Sequence, residues 1–230
     1  MAFITIRKRT IVAVLSLVLA LVTVFATAAT VIAASKPDNG ITVVIDAGHG
    51  GADGGVVGGT TGTKESDINL SISKYLMRYL QSDGYNVVLT RSDSDAVARG
   101  KYSKRGDMQA RRDIVNSASP DLVISIHCNS YPVSSVKGAQ AFFAASAAGE
   151  RYAKAVQNYF NDVLNTKPRA AAVGDYYILN CSEYPSVLCE CGFLSNAEEE
   201  NKLITASYQQ KVAYAIYSAV ASVFAEDRQG

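Results

Sequence analysis

The apolar positions of the chain fall into two recurrent patterns: short β-branched runs and longer stripes at helical spacing. Ile41 to Asp46 is apolar toward both faces and reads as a buried strand. A glycine-rich stretch from Gly48 to Gly62 follows it. Ile68, Leu70, Ile72, Tyr75, Leu76, Tyr79 and Leu80 then form a stripe that predicts a helix over Ser66 to Ser82, stopped by Asp83-Gly84. Tyr85 to Thr90 reads as a second strand, Arg91 to Asp107 as a polar loop and Met108 to Ala118 as a helix. Leu122 to His127 and Ala139 to Ala144 read as strands, Gly149 to Leu164 as a long helix, and Asp175 to Leu179 and Ser186 to Glu190 as short strands. A last helix is expected from Ala197 to Phe224. Strands that alternate with helices, and are apolar on both sides, predict an α/β fold. The expected form is a three-layer domain, with a mainly parallel mixed sheet and helices on both faces. No repeat or low-complexity tract interrupts it, so residues 41–230 read as one domain behind a linker at 36–40.

Residues 1–35 follow another pattern. Arg7, Lys8 and Arg9 form a basic cluster, and Ile11 to Ala34 then runs without a charge, long enough to cross a bilayer as a helix. The cluster keeps the N-terminus in the cytoplasm and places the rest of the chain outside. Two readings remain open. Small residues such as Ala26, Ala28, Ala33 and Ala34 suit a cleaved signal peptide, whereas the length of the run suits an uncleaved membrane anchor. Either way the protein is expected to be exported, secreted or held at the membrane.

Composition narrows the function classes. Of 230 residues 48% are apolar and 19% charged, which excludes a disordered chain. The net charge is +1, and without the N-terminal cluster 19 basic residues face 21 acidic ones, so nucleic acid is not expected as a partner. With 2 histidines in the chain, any imidazole-based site must use His49, His127 or both. The 4 cysteines form no CxxC pair, which argues against a thiolate zinc site. Cys189 and Cys191 flank Glu190; on a strand they would point away from it and serve as small buried residues.

The candidate chemistry gathers at strand ends. His49 lies just beyond the first strand, His127 closes the third and Glu190 closes the last. In an open α/β sheet the carboxyl ends of parallel strands share one rim, where ligands bind. Glu65 follows the glycine-rich loop at the start of a helix, where the dipole alone would favour a carboxylate. A single histidine at a strand end has an ordinary explanation as a hydrogen-bonded core residue. A carboxylate after the apolar run Pro185 to Cys189 is harder to dismiss, because a buried carboxylate needs a cation, a proton or a metal beside it. Two imidazoles and a carboxylate make a zinc set for hydrolysis, with a fourth position left for water. The glycines around His49 allow a tight turn. They do not match a phosphate loop, lacking both the Gly-Lys-Ser/Thr ending and a GxGxxG fingerprint.

These segments resemble the motifs of one family. Val44-Ile-Asp-Ala-Gly-His-Gly-Gly51, Lys64-Glu-Ser-Asp-Ile-Asn-Leu70, Ile124-Ser-Ile-His-Cys-Asn-Ser130 and Ser186-Val-Leu-Cys-Glu-Cys-Gly-Phe-Leu-Ser-Asn196 are similar, in order and spacing, to those of the zinc-dependent N-acetylmuramoyl-L-alanine amidases of the Amidase_3 type. Arg111 with Asn116 also resembles a family pairing. Ala47 stands where many members have Pro, and Cys128 where Ala or Leu is usual; neither removes a ligand. The resemblance implies one Zn²⁺ held by His49, Glu65 and His127, with Glu190 as the catalytic general base, and leaves the substrate-binding residues unassigned. It implies peptidoglycan as substrate and cleavage of the amide between the lactyl group of N-acetylmuramic acid and L-alanine. Within the family the chain is most similar to the germination-specific, spore-cortex branch, which implies a role in muramic δ-lactam formation. A zinc peptidase or deacetylase acting on the same polymer, and a membrane-anchored binding protein without turnover, are the rival readings. A domain with no wall-binding repeats and no basic surface would hold its polymer weakly. An activating partner protein, or the N-terminal anchor, would offset that.

Overall fold

A computed structural model describes residues 8–9, 14–23, 38–145 and 147–228. Residues 14–23 are helical; the rest of the run from Ile11 to Ala34, including its candidate cleavage alanines, lies outside the described residues. Among the described residues no helix is long and apolar enough to cross a membrane. The chain divides into two compact units, 1–37 and 38–230.

The second unit holds a six-stranded sheet of β1 (Thr42–Ala47), β2 (Asn86–Leu89), β3 (Leu122–Asn129), β4 (Gln140–Phe143), β5 (Ala172–Val173) and β6 (Ser186–Phe193), in the order β2-β1-β3-β6-β4-β5. Pairing is parallel throughout, except that β4 runs antiparallel to β6. The helices are α1 (Glu65–Ser82), α2 (Lys104–Ala118), α3 (Ala147–Val163), α4 (Tyr177–Asn180), α5 (Ala197–Leu203) and α6 (Ala206–Asp227). This is the expected α/β architecture, a mainly parallel mixed sheet between two helical layers.

Strand alternation divides the core in two. Val43 and Ile45 of β1, Ile124, Ile126 and Cys128 of β3, and Val187, Cys189 and Cys191 of β6 join the large cluster with Ile72 of α1, Phe160 of α3 and Ile216 of α6. On the opposite face Val44 and Val123 meet Val115 of α2, and Leu188 meets Ile178 and Leu179 of α4. The first layer is thick. The second is one long helix and one turn, so the carboxyl ends of β1, β3 and β6 are left partly uncovered. Cys128, Cys189 and Cys191 are buried, unpaired thiols on the thick side.

Besides the two-residue β5, which the sequence reading does not anticipate, three elements differ from it. The second helix begins at Lys104 rather than Met108, because Ser103 caps it by accepting the Gly106 N–H and its polar first turn carries no apolar stripe. Asp175 to Leu179 does not form a strand. Adjacent Ile178 and Leu179 both pack on Leu188, which period-two alternation does not allow, and a helical turn does. The expected last helix is two, broken at Ile204-Thr205, where the Thr205 hydroxyl accepts the Tyr208 N–H and starts α6.

Candidate metal centre

The period-two arrangement that fills the cores also builds the site. Asp46 follows Val44, Ser125 and His127 follow Val123, and Glu190 follows Leu188, so all four lie on the thinly covered face. His127 and Glu190 are register partners on adjacent parallel strands. The two imidazoles meet edge to face with centroids 4.9 Å apart.

Glu65, the first residue of α1, lies between them. Its Oε1 is 2.9 Å from His127 Nδ1 and accepts the Cys128 N–H (3.1 Å) and the Asn69 amide (3.1 Å). The Cys128 N–H is free to do so because Cys128, two residues after Ile126 whose carbonyl accepts the Gly48 N–H, faces the β1 side, where β1 has already ended at Ala47. Oε2 is 3.3 Å from His49 Nε2 and accepts the Val56 N–H (2.9 Å). One nitrogen of each imidazole and one oxygen of Glu65 lie within 4.8 Å of one another. The donor set and its compactness fit one Zn²⁺.

His49 sits in a turn that needs its glycines. Its φ is +61°, followed by +136° at Gly50 and +60° at Gly51. A Cβ on Gly48 would come 2.4 Å from the His127 ring, and one on Gly55 2.5 Å from Glu65 Oε2. Two buried guanidiniums hold the turn. Arg111 donates to the carbonyls of Ala47 (2.9 Å) and His49 (2.6 Å) and to Asp46 (2.6 Å) and Asp107 (2.8 Å). Arg91 donates to the carbonyls of Ala47 (2.9 Å), Gly48 (2.9 Å) and Ser66 (2.8 Å). Asn116 is exposed near the end of α2, away from this group, so only Arg111 of that pair joins the site.

The electrostatics follow from burial against partners. Burial would raise Glu65, but the two imidazoles outweigh it and hold its carboxyl far below the usual range. Burial would lower His49, but Glu65 and Asp53 outweigh it and raise it. Glu190 goes the other way: burial pushes it up to about 7 against the pull of His127. Its Oε2 is buried with no hydrogen-bond partner among the described residues. A buried carboxylate oxygen without a partner, close to three converging ligand atoms, is the kind of combination that marks a candidate functional site.

These residues line a cleft of about 740 Å³, walled also by Tyr102, Lys104, Met108, Tyr176 and Tyr177. The structure brings His49, Glu65, His127 and Glu190 together, as the sequence suggested. Reading the sequence did not single out Arg91, Asn69, Asp53 or Tyr102, whose parts depend on contacts between distant segments. The one local signal was the His49/Asp53 spacing inside a glycine-rich turn.

Residues 43–222 match the family model described as N-acetylmuramoyl-L-alanine amidase, Amidase_3. The chain is 37% identical over 199 residues to the germination-specific N-acetylmuramoyl-L-alanine amidase of Bacillus subtilis, covering 84% of this chain and 83% of that protein. It is also 37% identical over 194 residues to the uncharacterized protein YqiI of the same organism, covering 83% and 88%. Among solved structures it is similar to the CwlD amidase of Clostridioides difficile in complex with the GerS lipoprotein. The TM-score is 0.76 and the identity 33%, over 80% of this chain and 98% of that one.

Proposed function

The chain belongs to the N-acetylmuramoyl-L-alanine amidase family, and from that premise we propose a zinc-dependent mechanism and a spore-cortex role for it. It is a peptidoglycan amidase, cleaving the bond between the lactyl group of N-acetylmuramic acid and L-alanine of the stem peptide. The observation that carries the proposed mechanism is the convergence of His49, Glu65 and His127 within 4.8 Å, beside the unpartnered Oε2 of Glu190.

His49, Glu65 and His127 would hold the ion. When bound, Zn²⁺ would polarise the lactyl carbonyl and lower the pKa of water from 15.7 toward about 7. Glu190 does the proton work. With its carboxyl raised to about 7, it accepts a proton from the attacking water at Oε2 and returns it to the nitrogen of the departing L-alanine. Arg91 and Arg111 keep the His49 turn in place through its backbone carbonyls. The cleft of about 740 Å³ beside these residues is where the scissile amide would lie.

The spore-cortex role, removal of stems so that muramic δ-lactam forms, is supported by the 37% identity to the germination-specific amidase. Export across the membrane is supported by the basic cluster and charge-free run at the N-terminus. A partner protein is supported by the likeness to CwlD, which was solved in complex with the GerS lipoprotein.

The test is digestion of spore-type and vegetative peptidoglycan with and without a chelator, with mass spectrometry of the products. The reading expects intact stem peptides with a free L-alanine amine, their release abolished by chelator and restored by zinc. Cleavage within the stem, or loss of acetyl groups alone, would replace it by a peptidase or a deacetylase. Chelator-resistant stem release would overturn the metal assignment.

A further inference from the structure

Each histidine of the centre has two ring nitrogens, and only one can face an ion. His127 presents Nδ1 to Glu65, with its ring packed over Gly48. His49 presents Nε2, and its Nδ1 points instead at Asp53 Oδ2, 3.0 Å away.

Asp53 is held from several sides. The same Oδ2 accepts the Tyr102 hydroxyl at 3.1 Å, and Oδ1 accepts the Gly55 N–H at 3.1 Å. Its backbone is bonded to Gly50 in both directions, at 2.8 and 3.1 Å, so the chain folds back on itself and returns the carboxylate to the imidazole. That turn has little freedom. The Gly51 N–H donates to Ser94, and a Cβ on Gly50 or Gly51 would meet the backbone of Asp95 or Ala96 at 2.6 or 2.7 Å. A neutral imidazole carries one N–H. A carboxylate fixed opposite Nδ1 favours the proton there, which would leave the Nε2 lone pair for an ion shared with Glu65 and His127. It also fixes the ring plane, which a residue on a glycine-rich turn would not otherwise hold.

We propose that Asp53, itself braced by Tyr102, is a positioning residue that sets the tautomer and orientation of His49 for metal binding in the amidase reaction. The inference rests on the zinc reading above. Metal-ligating histidines commonly donate their second N–H to a carboxylate, and loss of such a partner costs about 10–100-fold in metal affinity. Tyr102 comes from the segment just before α2 and lines the cleft, so it couples the cleft wall to a ligand of the ion.

The experiment compares the wild type with Asp53→Ala, Asp53→Asn, Tyr102→Phe and His49→Ala in the full chain. Zinc affinity is measured by chelator competition, and the visible spectrum is recorded with cobalt substituted. The imidazole tautomer of the metal-free protein is read by nitrogen NMR at alkaline pH, and thermal unfolding is followed for each variant. Asp53→Ala is expected to lose about 10–100-fold in zinc affinity, to alter the cobalt spectrum and to lose the single Nδ1–H tautomer at His49. Asp53→Asn, with one acceptor oxygen for three donors, falls between it and wild type; Tyr102→Phe shows a smaller loss of the same kind. Wild-type affinity, spectrum and tautomer in Asp53→Ala would overturn the inference. A lowered unfolding temperature without those changes would do so too, leaving Asp53 a loop brace. If the wild type takes up no zinc, or no more than His49→Ala does, the metal reading itself fails and this role with it.

Discussion

Glu190 and Glu65 are both buried glutamates within one cleft, yet their surroundings push them in opposite directions. Two imidazoles and backbone N–H groups surround Glu65 and keep it ionised, whereas Glu190 Oε2 has no partner among the described residues and its carboxyl rises to about 7. One is suited to hold a cation, the other to carry a proton. Glu190→Gln is therefore expected to keep the fold and zinc content and to lose about 10²–10⁴-fold in kcat; loss of metal by elemental analysis would make Glu190 a ligand instead. Gly48→Ala attacks the centre from the backbone side, since its Cβ would lie 2.4 Å from the His127 ring. A displaced ring is expected to cost at least about tenfold in zinc affinity, and wild-type affinity in a chelator titration would show that the ring can yield. Asp46 belongs to the same scale. Burial alone would raise its carboxyl, but Arg111, Ser125 and His127 hold it below the ordinary 3.8. An acid whose folded pKa is depressed adds stability that is complete above the ordinary value and lost as pH falls through the folded one. Asp46→Asn should thus be less stable than wild type at neutral pH, with the difference shrinking below about pH 4. A gap independent of pH in urea unfolding would contradict this.

Between residue and molecule, the glycine-rich stretch divides into two working parts. Gly48 to Gly55 shapes the His49 turn, and residues 57–64 form a small hairpin closed by a Val57–Lys64 bridge that delivers Glu65 to the centre. The hairpin tip is clasped from afar. Buried Glu200 of α5 accepts the N–H groups of Thr60 (2.9 Å) and Thr61 (2.7 Å) and the Thr61 hydroxyl (2.8 Å). Glu200→Ala removes charge-assisted bonds worth about 1.5–3 kcal/mol each and should release the tip. Cleavage between 57 and 64 in limited proteolysis, with a lower zinc affinity, is the expected result; an unchanged digest would mean that the bridge suffices. Such a clasp is where the sequence becomes unreadable. The shared face of His127 and Glu190 could be read, because alternation assigns faces within a single segment, but not the strand ends, since β3 and β6 run past them to Asn129 and Phe193. The start of α2 could not, because Ser103 caps a polar first turn and no apolar stripe announces it. Partners such as Glu200 for Thr61, or Arg111 for the His49 carbonyl, lie 139 and 62 residues apart along the chain and leave no periodic trace.

At the scale of the molecule the site results from unequal layers. α1, α3 and α6 cover one face of the sheet with a large apolar cluster, while α2 and the single turn of α4 cover the other and leave the carboxyl ends of β1, β3 and β6 open to the cleft. The layers were legible from alternating strands and helices. The strand order was not, because β4 enters antiparallel beside β6 and long-range pairing decides its place. All the residues of the three core clusters lie between Ile41 and Phe224, and the ligand set and cleft fall within the same span. The apolar clusters and the ligand set of the second unit are therefore made by its own residues. A chain starting at residue 38 is expected to unfold cooperatively within a few degrees of the full-length protein, and to bind zinc with equal affinity. On soluble muropeptides it should match full-length kcat/KM, because the catalytic groups and their supports are all retained. A role of residues 1–37 outside catalysis would then appear as slower action on the wall of living cells but not on soluble substrate. Loss of cooperative unfolding, or of turnover on soluble muropeptides, in the shortened chain would show that residues 1–37 support the catalytic unit directly.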